Sequence, residues 1–543
     1  MEMTGAEILA QGLLRENVDQ LFGYAGATIC PLMDALKATP QIHYTLVRTE
    51  QNAGHMASGY ARVTGKVGVC LVTSGPGATN LITGIATAYM DSIPMVAITG
   101  QVPSGLLGRD IFQEVDITTA VSPFTKHNYL VKDAAQLPQI LKEAFYIAST
   151  GRPGPVLIDV PIDIQEQKVE DVKFPEEVEI RGYHPSVRGN ERQIRRVAEV
   201  ISKARQPLIC AGGGVWLAHA RDELLQLAER YSIPLVKTMM GISLMPTDHP
   251  LNMGMIGAHG NACANKALVK ADLLIMVGCR AADRTILSPS EIQRRMATIH
   301  IDVDPAEIGK NMDAAIPLVG DVKVILRQLL ELDAPAPDSE DWRRQLKEYR
   351  QAELTRTFPR REGSVFPGTV LRELGRQLGD DAAVCVDVGQ NQIFTCKYLP
   401  QKNGRLLTSG GLGTMGYALP AALGAKLAKP RRQVLAVCGD GAFQMSLCEL
   451  ATVAASHAPL KVVVFDNRRL GMVREYQNSR YARRHIGTHM DGNPDFVALC
   501  QAYGIPAALA KNNREAERLA KEMLQSPRPY VLVCRVDPET PSV

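Results

Sequence analysis

The chain of 543 residues has no surplus of one charge: 60 Lys and Arg stand against 57 Asp and Glu, for a formal net charge of +3. That balance excludes the strongly basic face that a nucleic-acid or acidic-membrane partner would demand. There is no C-x-x-C pair; the 11 cysteines sit singly, many inside apolar runs such as those around Cys70, Cys279, Cys438 and Cys534. This is the usage of a reducing compartment, with cysteine serving as a small hydrophobe. No apolar run approaches the length of a membrane span. The N-terminus, MEMTGAEILAQGLLREN, reads as an acidic amphipathic helix with Thr4 and Glu7 spaced as a capping box, and not as a signal peptide. His485 and His489 lie four apart, but Gly487 weakens a helix between them and no acid partner follows, which disfavours a metal site there. These absences leave a soluble, cytoplasmic protein without nucleic-acid or membrane partners. Its 45% hydrophobic composition supplies large cores, and its length accommodates about three or four domains.

What is present centres on Val434 to Met472. An apolar run, VLAVC, stops at Gly439-Asp440-Gly441; a helical pattern follows, and a second apolar run, LKVVVF, stops at Asp466-Asn467. In such a βαβ unit both strands end on one edge of a parallel sheet, so Asp440 and Asn467 can converge. Gly439, Gly441 and Ala442 let backbone N–H groups approach an anion at a helix start. A carboxylate, an amide oxygen and a loop carbonyl beyond Asn467, that of Arg469, suit Mg²⁺ carrying a diphosphate. An ordinary strand edge with polar turn residues is the plainer alternative. The spacing as a whole resembles the cofactor motif of the thiamine diphosphate-dependent enzymes.

The same pattern occurs earlier. Gly75-Pro-Gly77-Ala follows an apolar strand and precedes a helix and Pro94, as Gly439-Asp-Gly441-Ala precedes a helix and Pro459. We read this as two copies of one α/β domain. The first copy has Pro76 where the second has Asp440, so it cannot ligate a metal in the same way. Its own candidate is Glu50, after the apolar strand HYTLV and at the start of a helix. As residues alone read, Glu50 is a helix-terminal acid favoured by the dipole. The resemblance implies more: that it protonates N1′ of the cofactor's aminopyrimidine, a task for which burial can tune a carboxylate.

These patterns predict three doubly wound parallel-sheet domains, at 1–165, 190–333 and 362–543, joined by charged, proline-bearing linkers at about 165–189 and around LELDAPAPDSEDW. In the middle domain Gly212-Gly213-Gly214 is a glycine-rich strand end, a weak nucleotide signal. Around it GMIGAHG, VGCRAADR and HIDVDPAEIGKN resemble the segments that hold FAD in the acetohydroxyacid synthases, where the flavin is structural. In the last domain Gly389-Gln390-Asn391 ends a strand where amides could meet a diphosphate. SGGLGTMGYALPAALGA contains a superficial G-x-G-x-x-G, but matches the GLGxMG loop of the thiamine enzymes better.

Taken in order, TSGPGATNLITGIATAYMDSIPMVAITGQVP, FQEVDI, TKHN, GRPGPVLIDVP, HIDVDPAEI, SGGLGTMGYALPAALGA and DNRRLGMVRE resemble the catalytic subunit of acetolactate synthase across nearly the whole chain. The resemblance implies a carboligase that decarboxylates pyruvate on thiamine diphosphate and adds the hydroxyethyl carbanion to a second 2-oxoacid in branched-chain amino acid biosynthesis. It implies that the Gly413 carbonyl accepts from the 4′-amino group and that Met415 wedges beneath the cofactor. Phe112 and Gln113 would line the substrate pocket, and Arg284 would bind the acceptor carboxylate. Gly212, Gly213, His259 and Asp302 would hold FAD, and Arg280 and Asp283 would help hold flavin or substrate. It also implies a homodimer or dimer of dimers with the site at the interface, and a small regulatory subunit as a further partner. The departures from the family are Tyr476, Ala258, Ile162, Asn391, the loop Ala25-Gly26-Ala27-Thr28, and an end at PETPSV without the longer tail. Most fall around the substrate entrance and leave the acceptor open, so a related 2-oxoacid decarboxylase or lyase is the alternative.

Overall fold

The apolar runs bounded by glycine and proline become buried parallel strands. In the computed structural model, which describes residues 2–354 and 363–542, they assemble into three six-stranded sheets. The N-terminal sheet spans Gln20–Tyr24 to Pro155–Pro161, the middle one Pro207–Ala211 to Ile316–Val319, and the last Ala383–Val386 to Tyr530–Arg535. With strands numbered from one within each sheet, the first and last sheets share the order 2-1-3-4-6-5, whereas the middle sheet runs 3-2-1-4-5-6. The duplication read from the two glycine turns is therefore a duplication of topology. The boundary placed at 362 lies outside the described residues.

The two copies face each other through equivalent helices, Glu50–Thr64 and Ala418–Ala428, each lying between the second and third strands of its own sheet. Main chains touch at this crossing because each helix supplies a glycine. A methyl at Gly59 would overlap the Ala421 carbonyl, and one at Gly424 would overlap that of Met56. Around the crossing one continuous apolar cluster draws on both copies, including Met56, Ala57, Leu81, Tyr417, Leu423 and Phe443. Such continuity fixes the two domains as one body.

The N-terminal helix Gly5–Arg15 begins with the expected capping box: Thr4 accepts from the Glu7 N–H, and Glu7 accepts from the Thr4 N–H. The segments read as linkers carry more structure than their composition indicated. Lys168–Val169 pairs antiparallel with Met3–Thr4. Tyr183 stacks edge-on against Tyr146 and accepts from Lys126 Nζ at 3.0 Å. LELDAPAPDSEDW runs into a helix, Glu340–Leu354, whose Trp342 is buried and donates to the Pro207 carbonyl at 3.1 Å, docking that helix on the middle domain. Among the described residues no helix is long and apolar enough to cross a membrane.

Candidate active site

In the last sheet the chain order reverses between the first and third strands, and the motif residues gather at their carboxyl ends. Asp440 heads the helix Asp440–Gln444 and is 2% exposed. Burial, with Asp466 close by, raises its carboxyl to about 6, although Asn493 donates to Oδ2 at 2.7 Å. Among the described residues no Lys, Arg or His forms an ion pair with it. Asn467 donates to Gln390 Oε1 at 2.9 Å, and its own Oδ1 accepts from the Arg469 N–H at 2.9 Å. That turn spends the Arg469 N–H, while among the described residues no donor reaches the Arg469 carbonyl. A buried carboxylate with hydrogen-bond donors but no cationic partner among the described residues fits a hard divalent cation. No cluster of three His, Cys, Asp or Glu exists among the described residues, so any cation here would rest on mixed oxygen donors.

Gly389, Gln390 and Asn391 stand at the end of the first strand, but the side-chain amides do not face an anion. Asn391 Nδ2 donates to the Asp387 carbonyl at 2.7 Å, and Gln390 Nε2 donates to Glu475 at 2.8 Å and the Thr540 carbonyl at 3.0 Å. The side-chain amides are engaged within the protein. What the segment presents is the backbone at the first turn of the helix Gln390–Tyr398. Gly389 has φ 137°, a conformation suited to glycine, and a Cβ there would meet Asn391 Oδ1 at 2.7 Å. Glu475 also binds the Ser542 N–H at 2.7 Å and its hydroxyl at 2.6 Å, so the tail is tied through Glu475 and Gln390 to Asn467.

The loop 409–416 is gripped by a carboxylate the sequence reading passed over. Asp387, fully buried, accepts from the N–H groups of Gly416 and Ala418 at 2.9 Å each. Burial holds its carboxyl up at about 6. Gly413 has φ 73° and open space around it. Gly441 packs under Leu470, whose Cδ2 would lie 2.9 Å from an added Cβ, with Met415 Cε next to it at 3.6 Å. In the first copy Gly77 packs on Thr73, whose Cγ2 would lie 2.7 Å from an added Cβ, with Glu50 Oε1 next to it at 3.5 Å. Glu50 heads its helix and accepts from Asn80 at 3.1 Å. Among the described residues no hydrogen bond joins Glu50 to the 409–416 loop or to Asp440 of the same chain.

A cavity of about 1250 Å³ opens where the three domains meet. Its wall includes Gly213, His259, Arg280, Asp283, Arg284 and Asp302, and it reaches Gly411–Gly413 of the cofactor loop. Gly212 lies behind the wall, where a side chain would strike Cys279 and the Gly278 carbonyl, so this glycine serves close packing. His259 Nδ1 is buried without a partner, and burial lowers the pKa of its ring. Arg280 is anchored on the Met90 carbonyl at 3.0 Å. Asp283 and Arg284 are free-standing, with side chains 88% and 80% exposed and 3.8 Å between Oδ2 and Nε. An orphaned ring nitrogen and a wall that mixes arginines with acids fit a large polar ligand carrying both donors and acceptors. Phe112 and Gln113 do not line this cavity. Phe112 is 87% exposed, and Gln113, at φ 61°, lies over Gly75, whose added Cβ would meet Gln113 Cα at 2.9 Å.

Asp387 and Asn493 are the residues that sequence reasoning missed. Asp387 was visible as the last acid of VCVDVGQN; Asn493, in a loop far from the motif, carried no signal.

Comparison with known proteins places all three units. Residues 3–120 match the thiamine pyrophosphate enzyme N-terminal TPP binding domain, 194–329 the central domain, and 387–534 the C-terminal TPP binding domain. A probable acetolactate synthase large subunit of Methanocaldococcus jannaschii is 43% identical over 547 residues, covering 99% of this chain and 92% of the relative. The acetolactate synthase isozyme 3 large subunit of Escherichia coli is 42% identical over 543 residues, covering 98% and 94%. A probable large subunit from Methanococcus aeolicus is 42% identical over 557 residues, covering 99% and 93%.

Proposed function

Since this chain belongs to the acetolactate synthase large-subunit family of thiamine diphosphate enzymes, we propose that it joins two 2-oxoacids with loss of CO₂, taking pyruvate as donor in branched-chain amino acid biosynthesis. The observation that carries this reading is Asp440 at the topological switch, buried and, among the described residues, without an ion pair.

When bound, thiamine diphosphate supplies a nucleophilic carbon and an electron sink for decarboxylation. Asp440, Asn467 and the Arg469 carbonyl would hold Mg²⁺, with Gly389, Gly439, Gly441, Ala442 and the helix start at Gln390 around the diphosphate. Glu50 would hold and return a proton at N1′ of the aminopyrimidine, the Gly413 carbonyl would accept from the 4′-amino group, and Met415 would set the angle between the rings. Gln113 and Phe112 would close the pocket against water, and Arg284 would pair with the acceptor carboxylate. The inter-domain cavity, with His259, Arg280, Asp283 and Asp302, would take FAD as a structural group. That no hydrogen bond among the described residues joins Glu50 to Asp440 or the 409–416 loop of its own chain supports a site completed by a second copy across a two-fold axis, and the large-subunit names of the relatives support a small regulatory partner.

The test is to incubate the purified protein with thiamine diphosphate, Mg²⁺ and pyruvate and to identify the product. Acetolactate is expected; acetaldehyde alone would make the protein a decarboxylase.

A further inference from the structure

All three domains meet at Met90 and Asp91, the last residue of one helix and its cap. Asp91 caps the C-terminal end of the helix Pro76–Met90, and its side chain is fully buried. Oδ2 pairs with Arg62 at 2.6 Å, while Oδ1 accepts from the N–H of Gly411 at 2.7 Å and of Gly410 at 3.2 Å. One residue back, the Met90 carbonyl holds Arg280 of the middle domain at 3.0 Å. The Gly411 main chain comes so close that a Cβ there would lie 2.6 Å from the same carbonyl. One turn back, Thr87 Oγ1 meets Thr414 Oγ1 at 2.7 Å.

We infer that Asp91 is a positioning residue: from the N-terminal copy it fixes the far end of the loop that carries Gly413 and Met415, while Asp387 fixes the near end. Leu412 and Gly413, both exposed, are thus suspended between two carboxylates, one from each copy. The inference rests on the reading of that loop as the thiamine diphosphate loop. The chemistry at Asp91 requires a carboxylate. One oxygen must accept from backbone N–H groups while the other accepts from a guanidinium, and both bonds are charge-assisted. An asparagine has one acceptor and one donor, so it loses either the loop or Arg62.

The experiment compares wild type, Asp91→Asn and Thr87→Val. Thr87→Val loosens the same loop without unpairing Arg62, and so serves if Asp91→Asn fails to fold. Amide hydrogen exchange of the cofactor-free protein and calorimetric titration with thiamine diphosphate and Mg²⁺ are read together with kcat and KM. Both variants are expected to exchange faster at 410–414 and to bind the cofactor about tenfold more weakly, as the loss of such a bond implies, with KM for pyruvate unchanged. Exchange that rises evenly over 50–64 and 418–428, with cofactor affinity intact, would make Asp91 a domain fastener and overturn the inference. If wild type itself binds no thiamine diphosphate, the functional reading falls and takes the inference with it. If wild type binds and both variants bind equally well, only the inference falls.

Discussion

Asn493 reaches 2.7 Å to Asp440 Oδ2 from a loop 53 residues further along the chain, and leans toward Asp466 as well, at 3.4 Å. This amide is what favours the ionised form of a carboxyl that burial and Asp466 push upward. Replacing Asn493 with alanine should raise the Asp440 pKa further, so the apparent affinity for Mg²⁺ should fall, and fall more at pH 6 than at pH 8. Magnesium titration of activity at the two pH values checks this; an equal loss at both would show that Asn493 acts only through packing.

Glu50→Gln keeps size and hydrogen bonding but removes the ionisable group. If Glu50 relays a proton, cofactor affinity should change little while turnover drops by roughly 10²–10⁴. A helix-terminal acid would instead cost about 0.3–1 kcal/mol of stability and leave turnover intact. Hydrogen–deuterium exchange at C2 of the bound cofactor separates the two, and an unchanged exchange rate sinks the catalytic assignment.

If the site is shared between copies as proposed, Glu50→Gln and Asp440→Ala disable opposite halves of it. Mixed and subunit-exchanged, the two inactive chains should recover about a quarter of wild-type activity, since random pairing makes half the dimers mixed and each mixed dimer has one intact site. No recovery in verified mixed dimers would place the site within a single chain.

Lys237, fully buried, donates to the Met245 carbonyl at 3.2 Å, and burial with Arg350 nearby depresses its pKa to about 7. Between pH 7 and about 10.5 the unfolded chain therefore binds more protons at this residue than the folded one, so its penalty on stability shrinks as pH rises through that window. Lys237→Met should stabilise the protein at pH 7, by on the order of 3–5 kcal/mol at most, and the advantage should fade toward pH 10. Thermal unfolding of both proteins across that range checks the sign; a constant difference would mean that the lysine is not the titrating group.

How much of this was legible follows from how local each signal is. Gly439-Asp440-Gly441, the two apolar strands and Asp466-Asn467 fix their own geometry through turn chemistry and strand periodicity, and the repeat at Gly75-Pro76-Gly77 revealed the duplicated topology. The direction of a side chain is set by its neighbours in space. Gln390 and Asn391 read as residues whose amides could meet a diphosphate, and only the fold shows Glu475, Thr540 and the Asp387 carbonyl engaging their side chains. Asn493 and Asp91 serve the site from distant segments, and no spacing announces them. The helix Glu340–Leu354 hid because its sequence is mostly charged and polar, with Trp342, Leu346 and Tyr349 as its apolar anchors on the middle domain.

Glu50 and Met415 occupy corresponding places in the two copies, each at or just before the helix between the second and third strands, and each beside the glycine that follows its copy's turn, Gly77 or Gly441. A gene fused from two identical halves begins with the same residue at both loci and two equivalent ligand sites. With proline at 76 and aspartate at 440, only the second copy keeps a carboxylate at that turn. At the corresponding locus on the partner helices the first copy carries a carboxylate, Glu50, and the second a thioether, Met415. Two halves of one topology thus no longer offer the same chemistry, so exchanging their turn residues would not exchange their roles.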